Sequence, residues 1–384
     1  MNLLAAAIRK IYKERFAEDP GLFFSPGRIN IIGEHIDYND GFVMPAAINK
    51  GIYYAIALNG SNNIQFYAAD VDEYYHTTIA AIHKESGWKN YVLSVLNQFQ
   101  KIGVELKGFN CVLGGDIPVG SGLSSSAAVE GGLAFAINDL LEVGLNRKEL
   151  ALLCQRAEHD YPGVQCGIMD QFANMMGKKD EVILLDCRSL EHRYFPIRLG
   201  GWEIVLVNTK VHHSLAGGEY NKRRKNCEDG LQLLQSDPAL QSFRDIHHAD
   251  QLLPFRKQMG EEVYQRCLFV VQEIYRTQQA TSCLQEHDIE GLGKLMYETH
   301  EGLSKLYEVS CAELDWLVTY ARKNEAIAGS RMMGGGFGGC TINLVRREML
   351  VDFTASVLRD YAHQFGQEPE VYVVETADGV SKLV

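Results

Sequence analysis

The chain has 384 residues, 46% of them hydrophobic and 22% charged, with a formal net charge of -12 and a pI of about 5.5. Length and composition suit a folded protein of about two to three domains. So acidic a chain argues against wrapping a nucleic acid or an anionic membrane, both of which need a basic face, so an anionic ligand would need a locally arranged site.

The start, MNLLAAAIRKIYKERF, reads as a short helix without the long apolar stretch and small-residue cleavage site of a secretory signal. No apolar run reaches the roughly 18 residues of a membrane span. Next come strand-like runs at FFSPGRINII and GIYYAIALNG. Between them, Pro26 to Asp40 ends an apolar run in Glu34, His35 and Asp37, with Arg28 just upstream. IQFYAAD and EYYHTTI read as further strands, and NYVLSVLNQFQKIG has helical spacing. GFNCVLGGDIPVGSG is a strand running into a glycine-rich loop, followed by helices at LSSSAAVEGGLAFAINDLLEVG and RKELALLCQRAEHDY, then PGVQCGIMDQFANMMG and the strand EVILLDC.

A Gly200-Gly201 pair before the strand in GGWEIVLVNTK marks the expected boundary, dividing the chain into 1–200 and 201–384. The second part is more helical, at NKRRKNCEDGLQLLQ, EEVYQRCLFVVQEIYRTQQA, IEGLGKLMYETHEGLSKLY and AELDWLVTYARKN. MMGGGFGGCTINLV is a glycine loop feeding a strand, and a helix and the strand PEVYVVET follow. Strands and helices mixed without strict alternation predict an α+β fold. The nine cysteines are scattered, odd in number and free of C-x-x-C, which fits reduced thiols in a cytoplasmic protein. No paired Cys/His spacing suggests zinc, and the adjacent pairs His212-His213 and His247-His248 would point apart on a strand.

Four strings carry candidate chemistry. In PVGSGLSSSAAVE, Gly120 and Gly122 permit close approach of backbone to a ligand, Ser124, Ser125 and Ser126 offer hydroxyls, and the helix behind presents free N–H groups and a positive dipole end. Together these make a phosphate cradle. No lysine follows the glycines, so it is not a Walker A loop, and no kinase-type H-R-D or D-F-G is present. In CGIMDQ, Asp170 opens an apolar helix; Glu158 lies on the helix before, where taken alone it reads as solvated. GGGFGG, Gly334 to Gly339, is costly to order and implies close packing at a site. In EYNKRRKNCE, the run Lys222 to Lys225 reads as a solvated helix face, and Tyr220 can both stack on and hydrogen-bond a sugar.

In this order, GRINIIGEHIDYNDGFVMPAAI, PVGSGLSSSAAVE, CGIMDQ, LLDCRSL, EYNKRRKNCE and GGGFGGC resemble the galactokinases of the GHMP kinase superfamily, from about Gly27 onward. The resemblance implies two α+β domains, the second ferredoxin-like, with the active site in the cleft between them. It implies phosphoryl transfer from ATP to the anomeric hydroxyl of α-D-galactose, assisted by Mg²⁺. Glu34, His35, Asp37, Gly167 and Tyr220 then match sugar-binding positions. Pro118, Gly120, Ser121, Gly122, Leu123, Ser124, Ser125 and Ser126 match the nucleotide loop, and Ser126 and Glu158 the magnesium ligands. Asp170 matches the catalytic base and Arg28 the arginine near the transferred phosphoryl group; Arg28 would keep Asp170 ionised and by the same token weaken it as a base. Trp88 in GWKNYV is either an adenine-stacking residue or a core residue. The partners implied are a sugar and ATP, without nucleic acid, membrane or obligate protein partner. Two rivals stay open: an N-acetylgalactosamine or arabinose kinase of the same superfamily, and a non-enzymatic galactose sensor, against which the intact Ser124-Ser125-Ser126-Ala127 and Asp170 argue.

Overall fold

The structure is a computed structural model that describes residues 2–118, 120–211 and 216–383. Val119 of the serine-glycine string and the His212-His213 pair lie outside the described residues. In chain order the elements are α1 (Leu3–Arg15), β1 (Gly21–Asn30), β2 (Phe42–Val43), β3 (Pro45–Leu58), β4 (Asn63–Ala68), β5 (Glu73–Thr78), α2 (Lys89–Lys101), β6 (Phe109–Gly115), α3 (Ser125–Leu140), α4 (Arg147–Asp160), α5 (Met169–Met176), β7 (Glu181–Asp186), β8 (His192–Pro196) and β9 (Trp202–Asn208). There follow α6 (Ala216–Leu234), α7 (Arg256–Glu286), α8 (Ile289–Lys305), α9 (Ala312–Arg322), β10 (Ile327–Met332), β11 (Cys340–Arg346), α10 (Leu350–Phe365), β12 (Glu370–Val374) and β13 (Ser381–Leu383).

The first sheet runs β13-β1-β3-β6-β4-β5 and is antiparallel except for the β4–β6 pair. Both of its faces are covered, and β3 shows why its sequence is apolar almost throughout. Tyr53, Ala55 and Ala57 turn to one face, where Ala5, Ile8 and Tyr12 of α1 cover them. Ile52, Tyr54 and Ile56 turn to the other and join the main core with α2, α3 and α4. Alternation of the pleat thus assigns each residue to one of two apolar environments.

The second sheet, β10-β11-β9-β12, repeats the device. Val205, Val207 and Val345 pack on Leu317 of α9 and on Phe353 and Val357 of α10, while Ile204, Leu206, Ile342 and Leu344 face the main core. A third sheet, β2-β7-β8, lies beside α5 and follows the turn after β1. β1 is irregular where it matters: its register with β3 shifts between Pro26 and Arg28. A Cβ on the intervening Gly27 would stand 2.8 Å from the Leu123 carbonyl oxygen. Arg28 N–H donates to that same carbonyl at 3.1 Å, which ties β1 to the loop ahead of α3.

Candidate active site

Arg28 leaves β1 as a buried side chain and grips two loops. Its Nε and Nη2 donate to the two carboxylate oxygens of Asp170 at 2.8 and 2.7 Å, and its Nη1 donates to the Gly122 carbonyl at 2.5 Å. The two-pronged geometry suits a planar guanidinium and fixes the carboxylate plane. Asp170 stands in the first turn of α5, where an acidic group meets the positive end of the helix. The Ser124 hydroxyl donates to its Oδ2 as well.

The chain from Gly33 to Asp40 is a tight polar turn buried by its surroundings. Glu34 is not free: Arg331 of β10 donates to it at 2.8 Å, and both side chains are buried. Arg331 also donates to the carbonyls of Asn30, Ile31 and Met332, so one arginine holds the end of β1 and the glycine-loop strand together. His35 is left-handed at φ 62°. Its Nε2 lies 3.2 Å from the Gly335 carbonyl, which can only accept, so Nε2 carries the proton. Nδ1 therefore accepts from Tyr38 Oη at 2.7 Å, and Tyr38 Oη lies 3.0 Å from Tyr307 Oη. Burial pushes the His35 pKa down to about 4, in keeping with a neutral ring.

Asp37 faces α5 and accepts a long contact from Met169 N–H at 3.4 Å. Burial, then the charges of Asp170 and Glu34, push its pKa up to about 7. Gly167 is a glycine because of this carboxylate: a Cβ there would fall 2.0 Å from Asp37 Oδ2. Glu158 of α4 is buried, contrary to its reading as a solvated helix residue, and accepts from Gln171 Nε2 at 2.6 Å and from Cys166 Sγ at 3.5 Å. Burial and then Asp170 raise its pKa to about 7, while the Ser126, Cys166 and Gln171 side chains draw it down.

The loop from Pro118 to Ser124 is shaped by left-handed residues at Gly120, Gly122 and Ser124, with φ of 72°, 76° and 56°. Ser121 Oγ folds back on the Pro118 carbonyl at 2.7 Å, and Leu123 is buried. Ser124 caps α3 by position but spends its hydroxyl on Asp170 instead of the helix. The first-turn N–H groups of α3 therefore receive no side-chain cap from Ser124. The 334–339 loop packs on this one backbone to backbone. A Cβ on Gly334 would stand 3.1 Å from the Gly122 carbonyl oxygen, and one on Gly339 3.3 Å from Ser121. The two glycine strings, distant in sequence, form one structure.

Arg28, Glu34, His35, Asp37, Asp170 and Tyr220 line one cavity of about 190 Å³, with Glu158, Val164, Cys166, Met169, Gly334 and Gly335 completing it. The Tyr220 ring lies against His35 and Tyr38, with centroids 5.3 and 5.5 Å apart. Such a lining of one aromatic face and four carboxyl groups, with Glu34 and Asp170 ion-paired and, among the described residues, Asp37 and Glu158 not, suits a polyhydroxylated ligand. Arg331, Tyr38 and Tyr307 are site residues that the motif reading missed. The run after Tyr220 is also more divided than a solvated face. Arg223 is buried, donating to the Tyr307 and Glu308 carbonyls at 2.8 Å each, and Arg224 donates to the Gln165 carbonyl at 2.8 Å. Trp88 packs edge-on against Phe66 and Tyr75 and spends its N–H on Glu73 at 2.7 Å.

Residues 10–58 match the galactokinase galactose-binding signature, residues 90–178 the GHMP kinases N terminal domain, and residues 280–364 the GHMP kinases C terminal domain. A galactokinase of Clostridium acetobutylicum is 38% identical over all of this chain and 99% of its own length. One from Thermotoga maritima is 39% identical over 94% of this chain and 99% of its own. The crystal structure of Lactococcus lactis galactokinase complexed with galactose superposes with a TM-score of 0.94 at 33% identity, covering 99% of this chain and 100% of that one. A Methanococcus jannaschii mevalonate kinase, at 18% identity and a TM-score of 0.64, shares the fold.

Proposed function

The chain belongs to the galactokinase family, and we propose that its cleft transfers the terminal phosphoryl group of ATP to the anomeric hydroxyl of α-D-galactose, yielding galactose 1-phosphate and ADP. The observation that carries this reading is the Arg28–Asp170 pair. It sits in the sugar-sized cavity and is tied directly to Gly122 and Ser124 of the loop ahead of α3. Sugar-binding groups and phosphate-binding groups thus meet at one carboxylate.

In this reading Asp170 faces the anomeric hydroxyl and accepts its proton as the oxygen attacks phosphorus. Arg28 holds the carboxylate plane and stabilises charge on the transferring group, since phosphoryl transfer is largely positioning and charge neutralisation. The N–H groups at the start of α3 hold phosphate oxygens. Asp37, Glu34, His35 and Tyr220 orient the sugar, with Gly167 making room for Asp37. The residues present fit Mg²⁺: the Glu158 carboxylate, raised to about 7 by burial and then Asp170, has no cationic partner among the described residues, and Ser126 supplies a neutral oxygen. Ser126 and Glu158 would hold the ion, which would neutralise phosphate charge as a hard cation with few protein ligands.

We read the chain as two lobes, 1–200 and 201–384, with the glycine loop of the second meeting the phosphate loop of the first. A reducing cytosol belongs to the same reading, given nine free cysteines. No described helix is long and apolar enough to cross a membrane. The test is ADP release in a coupled assay with galactose, N-acetylgalactosamine, arabinose and glucose. Turnover is expected with galactose; none with galactose, or a strong preference for another sugar, would overturn the assignment.

A further inference from the structure

The turn that carries Glu34 and His35 is held from the second half of the chain, through a residue that no motif marks. Gly33 has φ 95°, and a Cβ there would stand 2.6 Å from the Phe42 carbonyl oxygen and 3.1 Å from Thr277 Oγ1. Its N–H points into α7 and donates to Glu273 Oε1 at 2.9 Å. Glu273 is fully buried. The single Thr299 hydroxyl of α8 lies 3.1 and 3.0 Å from its two oxygens and donates between them, and Arg276 donates to Oε2. A buried carboxylate satisfied on every side is a rigid acceptor, and removing it would leave Gly33 N–H unpaired in the interior.

We propose that Glu273 is a positioning residue for sugar binding: by accepting from Gly33 N–H it fixes the backbone one residue ahead of Glu34 and two ahead of His35. The α7–α8 pair thereby sets the pose of the sugar-binding turn from outside the cavity. This rests on the reading of residues 34–37 as sugar ligands.

The test uses the full chain and separates the hydrogen bond to Gly33 from the ion pair with Arg276. Glu273→Met removes the acceptor at similar size. Glu273→Gln keeps an acceptor oxygen for Gly33 N–H and loses the charge. Thr299→Val loosens Glu273 without touching the Gly33 contact. Glu273→Met is expected to raise the galactose KM about tenfold, the scale of one hydrogen bond to a charged group, and to leave the ATP KM within about twofold. Glu273→Gln and Thr299→Val are expected to lower thermal stability yet keep the galactose KM within about threefold of the parent. Hydrogen exchange of the 29–38 segment should rise in Glu273→Met and stay near the parent in Glu273→Gln. If Glu273→Met does not fold, the other two variants still decide: a tenfold or larger loss of galactose affinity in Glu273→Gln with an unchanged 29–38 exchange pattern overturns the proposal. Equal effects on galactose and ATP KM, or no effect of Glu273→Met on galactose, overturn it too. Calorimetric titration of the parent protein with galactose keeps the two readings apart, because absence of binding there sinks the sugar site itself and not the role of Glu273.

Discussion

Arg28 and Asp170 share a two-pronged ion pair, with Nε 2.8 Å from Oδ1 and Nη2 2.7 Å from Oδ2. The Ser124 hydroxyl adds a third contact on Oδ2. A carboxylate so thoroughly engaged is held in one orientation. Asp170→Asn keeps the shape and removes the charge. It is expected to lower kcat about 100-fold or more, on the scale of general acid–base effects, while galactose still binds by calorimetry. Near-normal turnover would remove Asp170 from the chemistry.

Arg28→Ala should cut kcat by more than it raises the galactose KM if, as proposed, the guanidinium acts on charge that develops during transfer. Arg28→Lys should recover little, since an ammonium cannot span both Asp170 oxygens and reach the Gly122 carbonyl as well. Steady-state kinetics in both substrates separate these outcomes, and a change confined to KM would reassign Arg28 to ground-state binding.

Asp37 gives a pH signature. Burial raises its pKa from 3.8 to about 7, so the native protein retains a proton that the unfolded chain releases. Its contribution to stability is then fully present below about pH 4 and is lost as pH rises to about 7. Asp37→Asn cannot ionise, so its melting temperature relative to the parent should improve from about pH 5 to about pH 8. His35 has the opposite sign, lowered from 6.5 to about 4, so its contribution is lost as pH falls from about 6.5. It is present in both proteins and cancels in the difference. In the parent, kcat/KM for galactose should decline as pH falls below about 7, as Asp37 and Glu158, both raised to about 7, take up protons; Asp37→Asn should remove only the Asp37 share of that decline. A flat melting difference across that range would show that Asp37 titrates normally.

Gly167→Ala introduces a Cβ that would lie 2.0 Å from Asp37 Oδ2. The carboxylate or the 166–169 backbone must move. Galactose KM should rise about tenfold or more with the ATP KM little changed, as for loss of one charged hydrogen bond. Parental kinetics in this variant would place Asp37 outside the sugar contacts.

Arg331→Met strands Glu34 as an unpaired buried charge. Breaking one side of such a pair costs about 3–5 kcal/mol, so the urea midpoint should fall markedly. The double variant Arg331→Met/Glu34→Gln should regain part of the loss. If the single variant unfolds at the parental midpoint, the pair contributes nothing to stability.

The strings 33–37, 118–126, 166–171 and 334–339 were legible because each is local and rich in residue types with narrow uses. Strand and helix order were legible too, since β3 contains a continuous apolar run bounded by glycines and α8 shows a helical period. What escaped is whatever depends on a partner far along the chain. That Glu34 is held by Arg331, 297 residues away, has no signal in the local string. Arg223 reads as a surface cation because the carbonyls of Tyr307 and Glu308 that receive it carry no side-chain signal. Glu158 reads as solvated until the 166–171 segment folds over it.

The outer edge of β1 pairs with β13, with Leu22 opposite Leu383 and Phe24 opposite Ser381. During synthesis the strand that bears Arg28 leaves the ribosome long before its neighbour on that side exists. The nascent first sheet must wait with an open flank, a natural handle for chaperones and the contact of longest range to be closed in folding.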